Sequence, residues 1–268
     1  MKKVILVTGA SSGLGKATAT FLALEGHTVY GTSRKPAGVG LPYRLIPMDV
    51  TSASSVNEAV ASVIAAEGKI DVLVNNAGMG IGGAVESFSD EEVMLQMDTN
   101  FNGLARVTSA VLPHMRNRRS GTVINISSIG GIIGLPFQGL YSAAKFAIEG
   151  YSEALAMEVK SWNIRVVVVN PGDFKTGFTG ARIMTRKDAA GSDYSQLAEK
   201  AVAIMGKDEQ SGCDPMLMGR TIGRIVTSRS PKYRYIVGRF DQKLIATIRH
   251  WLPSGLIRWI IADHYKVR

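Results

Sequence analysis

The stretch from Val4 to Glu25 constrains this chain more than any other. Val4-Ile-Leu-Val7 is a short, unbroken apolar run, the pattern of a parallel strand covered on both faces. It leads straight into Thr8-Gly-Ala-Ser-Ser-Gly-Leu-Gly15, and Lys16 to Glu25 then reads as a helix rich in Ala and Leu. In such a strand, turn and helix the three glycines have separate physical work. Gly9 allows a tight turn, Gly13 lets the backbone approach a phosphate, and Gly15 permits close contact between helix and sheet. The helix N-terminus then presents N–H groups and a positive dipole end to a pyrophosphate. An ordinary βα turn that happens to use glycine is the competing reading. The apolar run is too short for a signal segment and is expected to be a first strand.

The same alternation continues. His27–Thr32, Tyr43–Pro47, Ile70–Val74, Gly121–Ile126 and Ile164–Val169 read as further strands, the last of them strongly β-branched and expected to be central. The second strand ends in Thr32-Ser33-Arg34-Lys35 with no acidic residue to accept from a ribose 2′-hydroxyl. A guanidinium there can pair with a 2′-phosphate, which points to NADP(H); a solvated loop cation is the alternative. Asp49, followed by Val50, can bond an adenine amino group or cap a turn. Thr51-Ser52 can cap the helix that runs to about Glu67. Asn75-Asn-Ala-Gly78 closes the fourth strand, where its amides can satisfy the backbone of neighbouring strands.

Ser89-x-x-Glu92 is a capping box that opens a helix. Asn100 with Gly103 suggests a local departure from regular helix, or Asn100 is simply a surface residue. Ser127-Ser128 ends the fifth strand, at the edge where open α/β sheets place ligands, or caps the turn before Gly130-Gly-Ile-Ile-Gly134. Tyr141-Ser-Ala-Ala-Lys145 sets a phenol and an ammonium one helical turn apart. A free tyrosine titrates near 10, so acid–base work near neutrality needs a shift of roughly 3 units, about 4 kcal/mol. A cation about 4 Å away at an effective dielectric of about 20 is worth a similar amount, so Lys145 can supply it. In isolation the pair is equally an amphipathic helix with a half-buried Tyr and a solvated Lys. The polar stretch that follows Asp173-Phe-Lys-Thr176 and runs to Ser192 reads as a flexible lid over the substrate.

With 268 residues, 46% of them hydrophobic, the chain suits one large α/β domain. Cys213 is the single cysteine, which rules out an internal disulfide and suggests a reducing, cytoplasmic setting. The four histidines show no ligand spacing, so no metal is expected. The net charge of +9 is spread along the chain and is read as solubility and attraction of an anionic cofactor, with no nucleic-acid partner. No apolar run approaches the roughly 18 residues of a membrane span.

These motifs, in this order over roughly Lys3 to Val237, resemble the classical short-chain dehydrogenase/reductase family. The resemblance rests on Thr8–Gly15, Asn75–Gly78, Asn100, Ser127-Ser128, Tyr141–Lys145, and Pro171-Gly172 through Thr176. It implies a Rossmann-type, doubly wound parallel sheet of seven strands with helices on both faces, and Tyr233–Val237 looks like the last strand. It implies Tyr141 as general acid/base, Lys145 lowering its pKa and binding the nicotinamide ribose, Ser128 holding the substrate oxygen, and Asn100 anchoring a water. Ser127 is the weaker candidate. It also implies cofactor contacts from Gly9, Ser11, Ser12, Gly13, Leu14 and Gly15, from Ser33 and Arg34, and from Asp49 and Val50. Asn76, Ala77, Gly78, Pro171 and Gly172 are implied as further cofactor contacts, together with Tyr141 and Lys145, and Thr176 would contact the nicotinamide carboxamide. A homodimer or homotetramer is implied too, through the helices of Asn100 and Tyr141.

The division expected is a core of residues 1–240 and a helical extension over 241–268. The extension, with Trp251, Trp259 and several Leu and Ile, is split by Pro253-Ser-Gly255 into two helices. Such an ending looks most like the NADP-dependent branch acting on steroids, retinoids and other lipid-like alcohols and ketones. It serves as core or interface packing, as the wall of an apolar substrate pocket, or as a peripheral membrane contact. The function expected is a carbonyl reductase for a bulky apolar substrate. A short 3-ketoacyl thioester reductase and a non-catalytic NADP(H)-binding sensor or scaffold are the alternatives.

Overall fold

The computed structural model describes residues 1–36, 40–178, 180–185, 192–249 and 251–267. In chain order the first half runs β1 (Val4–Val7), α1 (Gly13–Leu24), β2 (Thr28–Ser33), β3 (Arg44–Pro47), α2 (Ala53–Glu67), β4 (Val72–Asn75), the short β5 (Ile81–Gly82), α3 (Asp90–Met97) and α4 (Gly103–Asn117). The second half runs β6 (Gly121–Ile126), α5 (Gly139–Glu158), β7 (Ile164–Pro171), the short β8 (Ile183–Met184), α6 (Ser195–Gln210), α7 (Met216–Thr227), β9 (Arg234–Val237), α8 (Phe240–Ile248) and α9 (Ser254–His264).

Seven parallel strands form the sheet in the order β3-β2-β1-β4-β6-β7-β9. Val4–Val7 is buried at every position because both faces are covered. On one face Val60 of α2, Val111 of α4 and Leu155 of α5 meet Leu6 and Leu73; on the other, Leu22 of α1 and Ile222 of α7 meet Ile5 and Val74. Each such fully buried side chain contributes about 1.5–3 kcal/mol against exposure. The strand order reverses between β1 and β4, which opens a crevice at the carboxyl ends of these strands.

The β-branched β7 is an interior strand but lies next to the edge strand β9 rather than at the centre, because a seventh strand adds on only one side of it. Ser52 and the Ser89–Glu92 capping box close α2 and α3 at their starts as expected. The irregularity at Asn100 is a turn of π-helix over Asp98–Asn102, and Asn100 is buried rather than on the surface. Three pieces were not legible: α6, α7 and the two-stranded β5–β8 ribbon. That ribbon occupies part of the expected lid; residues 179 and 186–191 of the lid lie outside the described residues. Among the described residues no helix is long and apolar enough to cross a membrane, and no cluster suited to a metal occurs.

Candidate active site

A cleft of about 970 Å³ runs along the carboxyl ends of the strands. Its lining includes every residue the sequence nominated for cofactor binding and, of the four catalytic candidates, Ser128, Tyr141 and Lys145 but not Asn100.

At one end β1 turns into α1. Gly9 and Gly13 have φ of +65° and +53°, and a Cβ on Gly15 would lie 2.2 Å from the Gly9 carbonyl oxygen, so the cradle admits no side chain there. Ser12 caps α1 without a side-chain hydrogen bond, which leaves the helix start facing the cleft. The opposite wall is braced from beneath. Thr8 Oγ1 accepts from the backbone N–H groups of Asn76 and Ala77, and Asn76 Nδ2 donates to the carbonyls of Thr8 and Gly9. Asn76 therefore shapes the cradle with its amide, the structural option open in the sequence. Asn75 Nδ2 likewise donates to Thr108 and Asn125, tying β4 to β6 and α4.

Arg34 is exposed at the rim and makes no hydrogen bond or ion pair among the described residues. Ser33 Oγ binds the backbone of Lys35, and Asp49 Oδ1 accepts from the backbone and hydroxyl of Thr51. Asp49 thus caps the turn, and those bonds hold its carboxyl below the usual range despite partial desolvation, with Arg34 and Arg106 adding to the effect. A glycine cradle at a helix start, beside a free guanidinium and no acceptor carboxylate at the end of β2, fits a nucleotide bearing a 2′-phosphate.

At the centre α5 carries Tyr141 and Lys145 to the same wall as Ser128. The Lys145 ammonium donates to the Ile126 carbonyl at 2.9 Å and sits 5.7 Å from the centre of the Tyr141 ring. Ser128 Oγ accepts from Gly130 N–H and lies beside the phenol. Ser127 Oγ turns away to the Lys145 carbonyl. Burial pushes the Tyr141 phenol up, and Ser128 and then Arg182 pull it back, while Glu209 and Asp173 raise it further. Burial brings Lys145 down to about 8 against the pull of Glu149, and its ammonium is engaged by a carbonyl rather than by the phenolic oxygen.

Asn100 lies behind the cleft wall. Its Nδ2 donates to the Met79 carbonyl and its Oδ1 accepts from Met79 N–H, both at 2.8 Å, so the side chain holds the 78–80 backbone in place behind the cleft wall.

The far end of the cleft is built from parts the sequence reading did not connect. Phe178 packs edge-on to Tyr141 with ring centres 5.9 Å apart, Gln138 donates to Met205 Sδ, and Arg182 pairs with Glu209. The C-terminal extension closes this end: Ala246 and Ile257 pack on Ile132 and Ile133, Gln242 binds Asp173, and Tyr265 lines the cleft. No spacing in the sequence links these residues, since they come from four separate segments.

A family model described as short chain dehydrogenase matches residues 3–187. A 3-ketodihydrosphingosine reductase of Bacteroides thetaiotaomicron is 48% identical over 266 residues, covering 99% of both chains. Retinol dehydrogenase 8 of Bos taurus is 36% identical, covering 94% of this chain and 86% of its own. Among solved structures, a short-chain dehydrogenase from Streptomyces avermitilis superposes with a TM-score of 0.83 at 33% identity, covering 99% of this chain and 97% of the other.

Proposed function

The chain belongs to the short-chain dehydrogenase family, and from that premise we propose that it is an NADP(H)-dependent reductase of a bulky, lipid-like ketone of the 3-ketodihydrosphingosine kind. The observation that carries this reading is the meeting of Ser128, Tyr141 and Lys145 on one wall of a cleft whose other end is a glycine cradle beside the unpaired Arg34. The relative's name supports the lipid class, and Arg34 supports the phosphorylated form of the cofactor.

Bound in the cradle, the reduced nicotinamide supplies a hydride to the carbonyl carbon. Tyr141 gives its phenolic proton to the oxygen, and Ser128 donates a hydrogen bond to the same oxygen as negative charge develops there. The raised phenol suits this direction, because at neutral pH it carries the proton that reduction consumes. Lys145, cationic below about 8, lies behind it, where it can bind a ribose hydroxyl. Asn100 acts as a positioning residue through Met79.

The extension has two faces. Its inner side walls the substrate end, while Phe240, Trp251 and Trp259 are exposed on its outer side together with Lys243 and Arg258. This supports a cytoplasmic enzyme in peripheral contact with an anionic bilayer, from which a lipid ketone is drawn. Exposed Met94 on α3 and Phe146 and Met157 on α5 support assembly as a homodimer or homotetramer through those helices.

The test is loss of reduced-nicotinamide absorbance with NADPH and NADH in parallel. The probes are a long-chain 2-amino-1-hydroxy-3-ketone, a steroid ketone, retinal and a short ketoacyl thioester. Turnover of a bulky ketone with NADPH is expected; turnover confined to the short thioester, or preference for NADH, overturns the reading.

A further inference from the structure

The substrate end of the cleft holds a buried charge pair that a purely apolar ketone would not use. Arg182 follows the 174–181 segment, and its stem passes β5, where a Cβ on Gly82 would lie 3.2 Å from Arg182 Cδ. Its side chain is 2% exposed and donates through Nη2 to Glu209 Oε1 of α6 at 2.8 Å. The Nε and Nη1 groups of the same guanidinium are enclosed without a hydrogen-bond partner among the described residues. Buried donors left unpaired are costly, and native proteins seldom keep them without a ligand or a role.

Both residues line the cleft with Tyr141, and each bears on the phenol: Glu209 raises its pKa and Arg182 lowers it. Arg182 Cγ and the Phe178 ring both lie against Gly80, and Phe178 packs on Tyr141, so the pair borders the space in front of the phenol. Among the described residues two nearby carboxylates are already engaged. Asp208 is paired with Arg239 and His264, and Asp173 is held by Gln242, whereas Tyr265 covers this corner with an aromatic ring.

We propose that the Arg182–Glu209 pair is the recognition site for a polar head next to the ketone: Glu209 receives an ammonium, and the two orphaned nitrogens of Arg182 donate to a neighbouring hydroxyl oxygen. The ligand class is a long-chain ketone with a free amino group and a hydroxyl on the adjoining carbons. A carboxylate buried beside a guanidinium that still has unused donors complements that head, and a plain alkyl ketone would leave those Arg182 donors unanswered. This deepens the reductase reading and rests on it.

The experiment is steady-state kinetics of the full chain with NADPH on three ketones of equal chain length: the 2-amino-1-hydroxy-3-ketone, its N-acetyl derivative, and the 3-ketone lacking both groups. In the wild type kcat/KM for the free amine should exceed that of the other two by about 10- to 100-fold, the worth of a charge-assisted hydrogen bond. In Glu209→Gln the ratio should fall to within about threefold. A lone substitution leaves a buried charge unpaired, so the paired variant Arg182→Met, Glu209→Leu is made beside it, with thermal melting to confirm folding; it should show the same loss of discrimination. Equal efficiency on all three ketones in the wild type, or a ratio unchanged in a folded variant, assigns the pair to bracing α6 against the 182–185 segment and overturns the proposal alone. A wild type that reduces none of the three overturns the reductase reading as well.

Discussion

At the nucleotide end of the cleft the walls are satisfied from within: Thr8 and Asn76 supply partners to the backbone of both sides, and the Gly9 carbonyl and the Asn76 amide pack so closely on Gly15 that no side chain fits there. At the substrate end Arg182 keeps two unpartnered nitrogens, and Asp173, Asp208 and Glu209 crowd one corner. The first end is built from backbone and short motifs that sit at strand termini; the second is assembled from side chains far apart in sequence. A ligand part shared by many enzymes can be held by backbone geometry alone, whereas a particular substrate needs side chains whose unmet demands it answers. Tyr141 stands where the two ends meet.

The largest effect is therefore expected there. Tyr141→Phe removes the proton donor while keeping the ring against Phe178, and kcat should fall by about 10³-fold, within the range for a lost general acid, with little change in NADPH affinity. Activity near wild type in a verified variant would move the proton source elsewhere and dissolve the division at this residue. Next is Arg34→Asp, which acts on the nucleotide end only. NADPH binding measured by fluorescence titration should weaken by about 100-fold and NADH binding by less than about threefold. Equal weakening of both would make Arg34 a structural cation.

How much was readable follows the same division. Val4–Val7, the glycine turn, Asn75–Asn76 and the Tyr141–Lys145 spacing each carry their meaning within a few residues, so seven strands and most of the cleft were legible. Asn100 was legible as a helix irregularity, but not as a clamp on Met79, because a π-turn decides where its amide points. α7 was hidden by its glycines: Gly219 and Gly223 weaken a helix by intrinsic preference, and they are there because Phe21 of α1 leaves no room for a Cβ at either position. Arg182 and Glu209 stand 27 positions apart, with no pattern to join them.

Lys145 offers a finer probe of the boundary. Its folded pKa of about 8 lies below the ordinary 10.5, with burial the largest cause. The unfolded chain therefore holds this proton between those values while the folded one has released it, and stability contributed by this group rises as pH climbs from about 8 to about 10.5. Below that window the burial cost is present in full. Lys145→Met removes the titration, so the wild type should gain on the variant by roughly 3 kcal/mol across the window in denaturant unfolding. A constant difference between the two proteins would show that the ammonium is not desolvated, and the centre of the cleft would then resemble the wet rim around Arg34.

The smallest expected effect concerns the outer side of the substrate end. Trp251 is 87% exposed between α8 and α9, in the extension whose Ile257 packs on Ile132 and Ile133 and whose Tyr265 lines the cleft. An indole left in water beside the cations of the extension gains by entering a headgroup layer, and each such side chain or nearby cation is worth about 1 kcal/mol. Trp251→Ser should lower partition onto vesicles containing phosphatidylglycerol by about fivefold, leave partition onto neutral vesicles near zero in both proteins, and leave kcat for a short dispersed ketone unchanged. The comparison between the two ends sharpens if membrane affinity and turnover separate in this way, for it places lipid capture on the extension's outer face and chemistry on its inner one. Identical partition of the two proteins would instead mean that the exposed tryptophan meets another protein surface, and the extension would be an interface with a catalytic lining.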